Sequence, residues 1–286
     1  MSAFFRNMVN LIRPNQWYKN LIVFLAIIFS GNLFNPGLLG ITSMGFFVLI
    51  LISCANYVFN DLVDLKKDRH HPEKKKRPLA SASMSKSSAV SLLIIFLLAA
   101  LVSAYLINIG FFYVVAGIFI ISTLYSIFLK NIVLLDLVTI SSNFVLRAIA
   151  GAIIIDVFIS PWLVIGVSFF ALFLSTGKRY GEISYLEKKA VRHRKVLAYY
   201  SKKALYLFFN ILMIVIILIF LAYTFFSEYR LLILTVPLFG YLILRYRHLI
   251  CSDNKIASNP EKAFKDLQLL IVGVVFVVIS LIFILI

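Results

Sequence analysis

From position 204 to position 226 the chain reads ALYLFFNILMIVIILIFLAYTFF, without one charged side chain. A helix rises about 1.5 Å per residue, so a run of about 20 apolar residues matches the roughly 30 Å hydrocarbon core of a bilayer. Such runs recur along the whole chain. With 62% of its 286 residues hydrophobic and 14% charged, it carries more apolar surface than one soluble core takes in. The pattern predicts an all-α polytopic membrane protein. Dividing it at polar breaks such as Asn35-Pro36-Gly37, Lys130-Asn131 and Ser160-Pro161 gives nine candidate transmembrane helices, at 18–35, 40–60, 88–108, 110–129, 132–156, 160–178, 204–226, 230–248 and 267–286. The opening stretch, MSAFFRNMVNLIRP, reads as an interfacial helix ahead of the first span and not as a cleaved signal. Residues 1–286 are read as a single transmembrane domain.

The net charge of +16 has a place in this scheme. With the N-terminus inside, the segments 1–19, 61–87, 130–131, 179–203 and 249–266, together with the inner helix ends at Lys178, Arg245 and Arg247, collect all Lys and Arg except Arg147 and Arg230. The basic balance is therefore assigned to cytoplasmic loops facing anionic lipid, and nucleic acid is not an expected partner. The loops 61–87 and 179–203 are long and are expected to cap a site on the cytoplasmic side of the plasma membrane. Cys54 and Cys251 suggest neither a disulfide nor a metal framework.

The second apolar run ends in NDLVDLKKDRHHPEKKKRP, residues 60–78. Asp61, Asp64 and Asp68 are spaced i, i+3 and i+7, one face of a helix if the second helix continues that far, with Asn56 and Asn60 extending the stripe. A solvated helix end neutralised by lysines is the plainer alternative. Carboxylates at the mouth of a membrane bundle more often serve function. This spacing suits Mg2+, which takes one or two carboxylates and fills its other positions with water and substrate phosphates. Arg69, Lys74, Lys75, Lys76 and Arg77 follow closely, as a metal–diphosphate complex requires. His70 and His71 are read as polar loop residues. In the fifth run Asp136, Asn143 and Arg147 share a stripe. Eleven residues, about 16 Å of helix, separate Asp136 from Arg147, too far for a direct pair. Arg147 is the candidate for a buried anionic ligand, a contact to another helix being the alternative. The sixth run ends STGKRYGEISYLEKK, where Lys178 and Glu182 can pair at i, i+4 while Arg179 faces elsewhere.

The stretch NDLVDLKKD resembles the N-D-x-x-D-x-x-x-D motif of the UbiA superfamily of intramembrane prenyltransferases. The likeness implies a nine-helix UbiA-like bundle with cytoplasmic cap loops. Members of that family carry a second aspartate-rich motif after the sixth helix; here 179–203 contains no Asp. That departure, together with RPNQWYKN (13–20), RPLASAS (77–83), FVLRAIAG (144–151) and SPWLV followed by LFLSTGKRYGE, resembles one branch, the polyprenyl-phosphate phosphoribosyltransferases. The resemblance implies a Mg2+-dependent transfer of phosphoribose from phosphoribosyl pyrophosphate to a polyprenyl phosphate lipid. Asp61, Asp64 and Asp68 then hold the metal, and Lys19, Lys74 and Arg77 contact donor phosphates. Arg147, Lys178 and Arg179 steer the lipid phosphate, and Asn60, Asn143 and Glu182 complete the substrate-binding set. A prenyl diphosphate donor with a small acceptor, and a transporter lined by Asp136 and Arg147, are the rival readings.

Overall fold

The computed structural model describes residues 3–70, 74–186, 195–252, 256 and 260–285. Eight helices are long and apolar enough to cross a membrane, and the chain is a multi-pass membrane protein. They are α3 (Pro36–Val63), α5 (Lys86–Ile107), α6 (Ile109–Ile127), α7 (Leu135–Ile154), α8 (Pro161–Leu186), α9 (Lys202–Phe226), α10 (Val236–Ser252, preceded by a 3-10 run from Arg230 within the same span) and α11 (Leu267–Leu285). Shorter helices among the described residues include α1 (Ala3–Ile12), α2 (Leu25–Phe29) and α4 (Leu65–Arg69).

The helix starts are written locally. Asn35 accepts hydrogen bonds from the Gly37 and Leu38 amides, with Pro36 in the first turn of α3. Ser85, Asn108 and Ser201 do the same for α5, α6 and α9. Each side chain satisfies a first-turn amide that has no partner inside its own helix. Asn108 alone separates α5 from α6.

The expected span at 18–35 is not a straight α-helix. Pro14–Phe24 forms a 3-10 helix and Leu25–Phe29 only a short α-helix. The run begins after Arg13, which adopts a left-handed φ of 50° before Pro14. With three residues per turn, every third side chain falls on one face. Asn20 and Val23 accordingly point inward and are buried. Gly151 makes room for them: a Cβ there would lie 2.0 Å from the Val23 carbonyl oxygen. The count of nine regular spans is thus not matched among the described residues.

The chain divides into two compact units, residues 1–130 with 143–159, and 131–142 with 160–286. In the first, α3, α5 and α6 pack together around Leu49, Ile52, Phe111, Val115 and Ile118. A smaller cluster of Leu11, Val58, Leu65, Leu79 and Met84 lies under the loop after α4. In the second, α8 and α9 pack around Phe173, stacked on Phe209 at 4.6 Å between ring centres. Asp266 caps α11 through the Leu269 amide and pairs with Arg245 at 2.7 Å. That guanidinium holds its carboxyl below the usual range.

Candidate active site

In the first unit the acidic end of α3 is enclosed. The helix stops at Val63, Asp64 forms the joint, and α4 carries the chain to Asp68. The three aspartates therefore do not continue one unbroken helix, and they turn to different partners. Asp61 and Asp68 are buried, 2% and 3% exposed. One guanidinium nitrogen of Arg77 donates to both, at 2.9 Å to Asp61 Oδ1 and 2.6 Å to Asp68 Oδ2. Arg13 pairs with the same Asp61 oxygen and lies over the Tyr57 ring. Asp64 is gripped by Lys130, whose Nζ donates to both carboxylate oxygens at 2.7 and 2.8 Å. Asn60 accepts from the Ser126 hydroxyl. Burial pushes the Asp68 carboxyl above its ordinary range, against the lowering pull of Arg77 and Lys74.

Arg77 is placed by a compact turn. Ser81 Oγ and the Ser81 amide both donate to the Arg77 carbonyl, and the Met84 amide donates to that of Pro78. Leu79 and Met84 plug the turn into the apolar cluster with Leu11 and Leu65. The RPLASAS stretch is thus a device for holding one arginine over two carboxylates. His70 sits beside the Lys66 carbonyl at 2.9 Å; His71 lies outside the described residues.

Among the described residues no group of three or more metal-ligating side chains lies together. Two carboxylates do converge on a single cationic nitrogen. Asp61 Oδ2, beside that point, is buried with no hydrogen-bond partner. Two hard oxygen donors with an unused buried lone pair fit Mg2+, which needs few protein ligands when phosphates supply the others.

Deeper along α3 a second polar group gathers. Arg147 donates through Nε to Asn20 Oδ1 at 2.9 Å and through Nη1 to the Asn143 carbonyl at 2.7 Å. Ser53 also donates to Asn20 Oδ1, at 3.2 Å, and Asn143 Oδ1 accepts from Ser122. No carboxylate pairs with Arg147 among the described residues. Lys19 lies over the Tyr18 ring.

The second unit holds a different assembly. Arg179 is 1% exposed and donates to Asp136 Oδ2 at 2.8 Å and Glu182 Oε2 at 3.0 Å. The Tyr200 hydroxyl donates to Asp136 Oδ1 at 2.6 Å and accepts from the Leu134 amide at 2.9 Å. Burial, then the bond to Asp136, pushes the phenol far above its usual range, so it stays a donor. Arg179 was expected to offer an open cation. It is instead buried with its charge already matched, and Glu182 turns to it rather than to Lys178. Gly177 allows this packing, since a Cβ there would meet the Phe209 ring at 2.8 Å. Lys178 is half-buried and makes no ion pair among the described residues.

Sequence reasoning did not select Arg13, Asn20 or Lys130. The first two lie in RPNQWYKN, where only Lys19 was chosen. Lys130 stands among apolar residues, and that isolation was the available signal.

A multi-pass helical protein with buried aspartates matched by basic side chains now has a family. The UbiA prenyltransferase family model matches residues 20–270, and the chain belongs to that family. It is 33% identical over 202 residues to a decaprenyl-phosphate phosphoribosyltransferase of Mycolicibacterium smegmatis, a match covering 69% of this chain and 64% of that protein. A decaprenyl-phosphate phosphoribosyltransferase of Mycobacterium tuberculosis is 28% identical over 270 residues, 92% of this chain and 89% of the relative. The fold is that of a UbiA homolog from Archaeoglobus fulgidus bound to GPP and Mg2+. The TM-score is 0.76 at 20% identity, over 98% of this chain and 100% of that one.

Proposed function

We propose that the protein transfers the 5-phosphoribosyl group of phosphoribosyl pyrophosphate to a polyprenyl phosphate and releases pyrophosphate, at the cytoplasmic face of the plasma membrane. The observation that carries this reading is the buried pair Asp61 and Asp68 around one Arg77 nitrogen, with Asp61 Oδ2 left over. Asp61, Asp68 and, across the α3–α4 joint, Asp64 would hold Mg2+. When bound, the ion neutralises charge on the departing pyrophosphate.

The chain's own side chains do the rest. Arg77, with Lys74 and Lys19, engages donor phosphate oxygens, Arg through its planar fork of donors. Asn60 sets the carboxylates' neighbourhood from α3. Arg147 and Asn143 provide a phosphate-binding position within the membrane, and Lys178 a cation at the end of α8. Arg179 and Glu182 act by fixing that helix end and not by touching substrate. In the reaction the bond from the anomeric carbon to pyrophosphate breaks, its electron pair leaving with the oxygen. A lone pair of the lipid phosphate forms the new carbon–oxygen bond from the opposite face, inverting that centre. The nucleophile's second pKa is about 6, so it is largely dianionic at neutral pH and needs no general base.

The named relatives favour this donor over a prenyl diphosphate, as does the replacement of the second aspartate motif by Lys178 and a charge-matched Arg179. The test is a donor comparison with purified protein: phosphoribosyl pyrophosphate against prenyl diphosphates, with and without Mg2+. Labelled phosphoribose is expected in the lipid fraction only with metal. Asp61→Asn and Asp64→Asn should each nearly abolish it. Transfer from a prenyl diphosphate alone, or near-normal activity in both variants, refutes the reading.

A further inference from the structure

Asn56 lies on α3 between the aspartates and the Arg147 group. Both its side-chain Nδ2 and its Oδ1 are buried with no hydrogen-bond partner. Nearby, Asn20 is 1% exposed; its Oδ1 is used by Arg147 and Ser53, yet its Nδ2 has no partner. Ser53, Asn56 and Asn60 are spaced i, i+3 and i+7, so they share one face of α3. That face runs from Ser53, which shares Asn20 Oδ1 with Arg147, to Asn60, the residue before Asp61. Asn56 stands about 7–8 Å along the helix axis from Asp61. In an apolar span such groups are retained where something supplies their hydrogen bonds.

The chemistry of the unused atoms narrows what that is. A prenyl tail offers neither donor nor acceptor. A bare phosphate has only acceptors, which suit Arg147 and the two Nδ2 groups but leave Asn56 Oδ1 unmatched. A sugar hydroxyl both donates and accepts, and a carboxamide with both atoms unused is its complement. A phosphate on the same molecule would answer a guanidinium that no carboxylate among the described residues neutralises. We infer that Asn56, Asn20 and Arg147 form the subsite for the phosphorylated ribose of the donor. The ring hydroxyls lie on Asn56, the 5-phosphate on Arg147 and Asn20, and the diphosphate at Asp61 and Asp68. This rests on the proposed phosphoribosyl transfer. It moves Arg147 from the acceptor's phosphate, where the sequence alone places it, to the donor's.

The test uses the full chain in lipid nanodiscs with Mg2+, titrating each substrate against a saturating level of the other. Asn56→Leu keeps the volume and removes the unpartnered atoms, so it should insert and fold. It is expected to raise KM for phosphoribosyl pyrophosphate tenfold or more and leave KM for polyprenyl phosphate unchanged. Arg147→Met should act on the same substrate. On the wild-type chain, ribose 5-phosphate should compete with the donor and not with the lipid, and should lose at least tenfold in potency against Asn56→Leu. A change confined to the lipid KM, wild-type kinetics in Asn56→Leu, or inhibition not competitive with the donor overturns the subsite. If the wild-type chain moves phosphoribose but Asn56→Leu behaves like it, the subsite alone is lost. If it moves no phosphoribose, the proposed reaction falls with it.

Discussion

Removing Arg179 should unfold the second unit before it affects the choice of substrate. The guanidinium is 1% exposed, Asp136 is fully buried, and they meet at 2.8 Å. Arg179→Met takes the guanidinium away from the buried Asp136 carboxylate and from Glu182, whose side chain is 20% exposed and can hydrate. Breaking a buried pair from one side costs about 3–5 kcal/mol, most of it the penalty of the charge left behind. Asp136→Leu strands the arginine less completely, because Glu182 still pairs with it, and removes the acceptor of Tyr200. The double variant Asp136→Leu/Arg179→Met removes both members of the buried ion pair, at the cost of the Tyr200 acceptor, so it should be more stable than Arg179→Met alone. The coupling should therefore be large and non-additive, as contacts in one network are. Equilibrium unfolding in mixed micelles would measure all four corners of the cycle. Loss of less than about 1 kcal/mol in Arg179→Met, or a double variant equal to the sum of the singles, would show that the pair is not what holds this helix end. Unchanged stability with a raised KM for the lipid would return Arg179 to substrate steering.

Two further outcomes test placement in the first unit. Gly151→Val puts side-chain atoms where the Val23 carbonyl stands, 2.0 Å from the first of them. It should lower stability by at least about 1–3 kcal/mol, read as a fall in thermal midpoint and folded yield. Lys130→Met removes both hydrogen bonds to Asp64. The turnover rate should drop roughly tenfold, as expected for about 1.4 kcal/mol of lost positioning, with partial recovery in Lys130→Arg; unchanged turnover would show that Asp64 is held otherwise.

Much of this was legible in the residues. Long uncharged runs dictate helices wherever a bilayer is the solvent, and polar breaks such as Asn35-Pro36-Gly37 divide them. The acidic cluster and its basic sequel were readable because charge is conspicuous in an apolar chain. The 3-10 geometry within the 18–35 segment was not legible, for an equally physical reason. Hydropathy does not separate a period of three from one of 3.6. The partners of the charges were hidden as well. Nothing local ties Arg13 to Asp61 or Lys130 to Asp64, across 48 and 66 residues. Arg179 looked available because Asp136 lies 43 residues earlier.

The acids at the end of α3 draw their balancing charge from three remote parts of the chain: a helix-entry arginine, a turn in the loop after α4 and the link before α7. Asp61, Asp64 and Asp68 each have a cationic partner supplied by the chain itself. If Mg2+ joins only with the donor, as proposed, EDTA is expected to stop turnover and leave the thermal midpoint where it was; a fall in the midpoint would make the ion part of the scaffold.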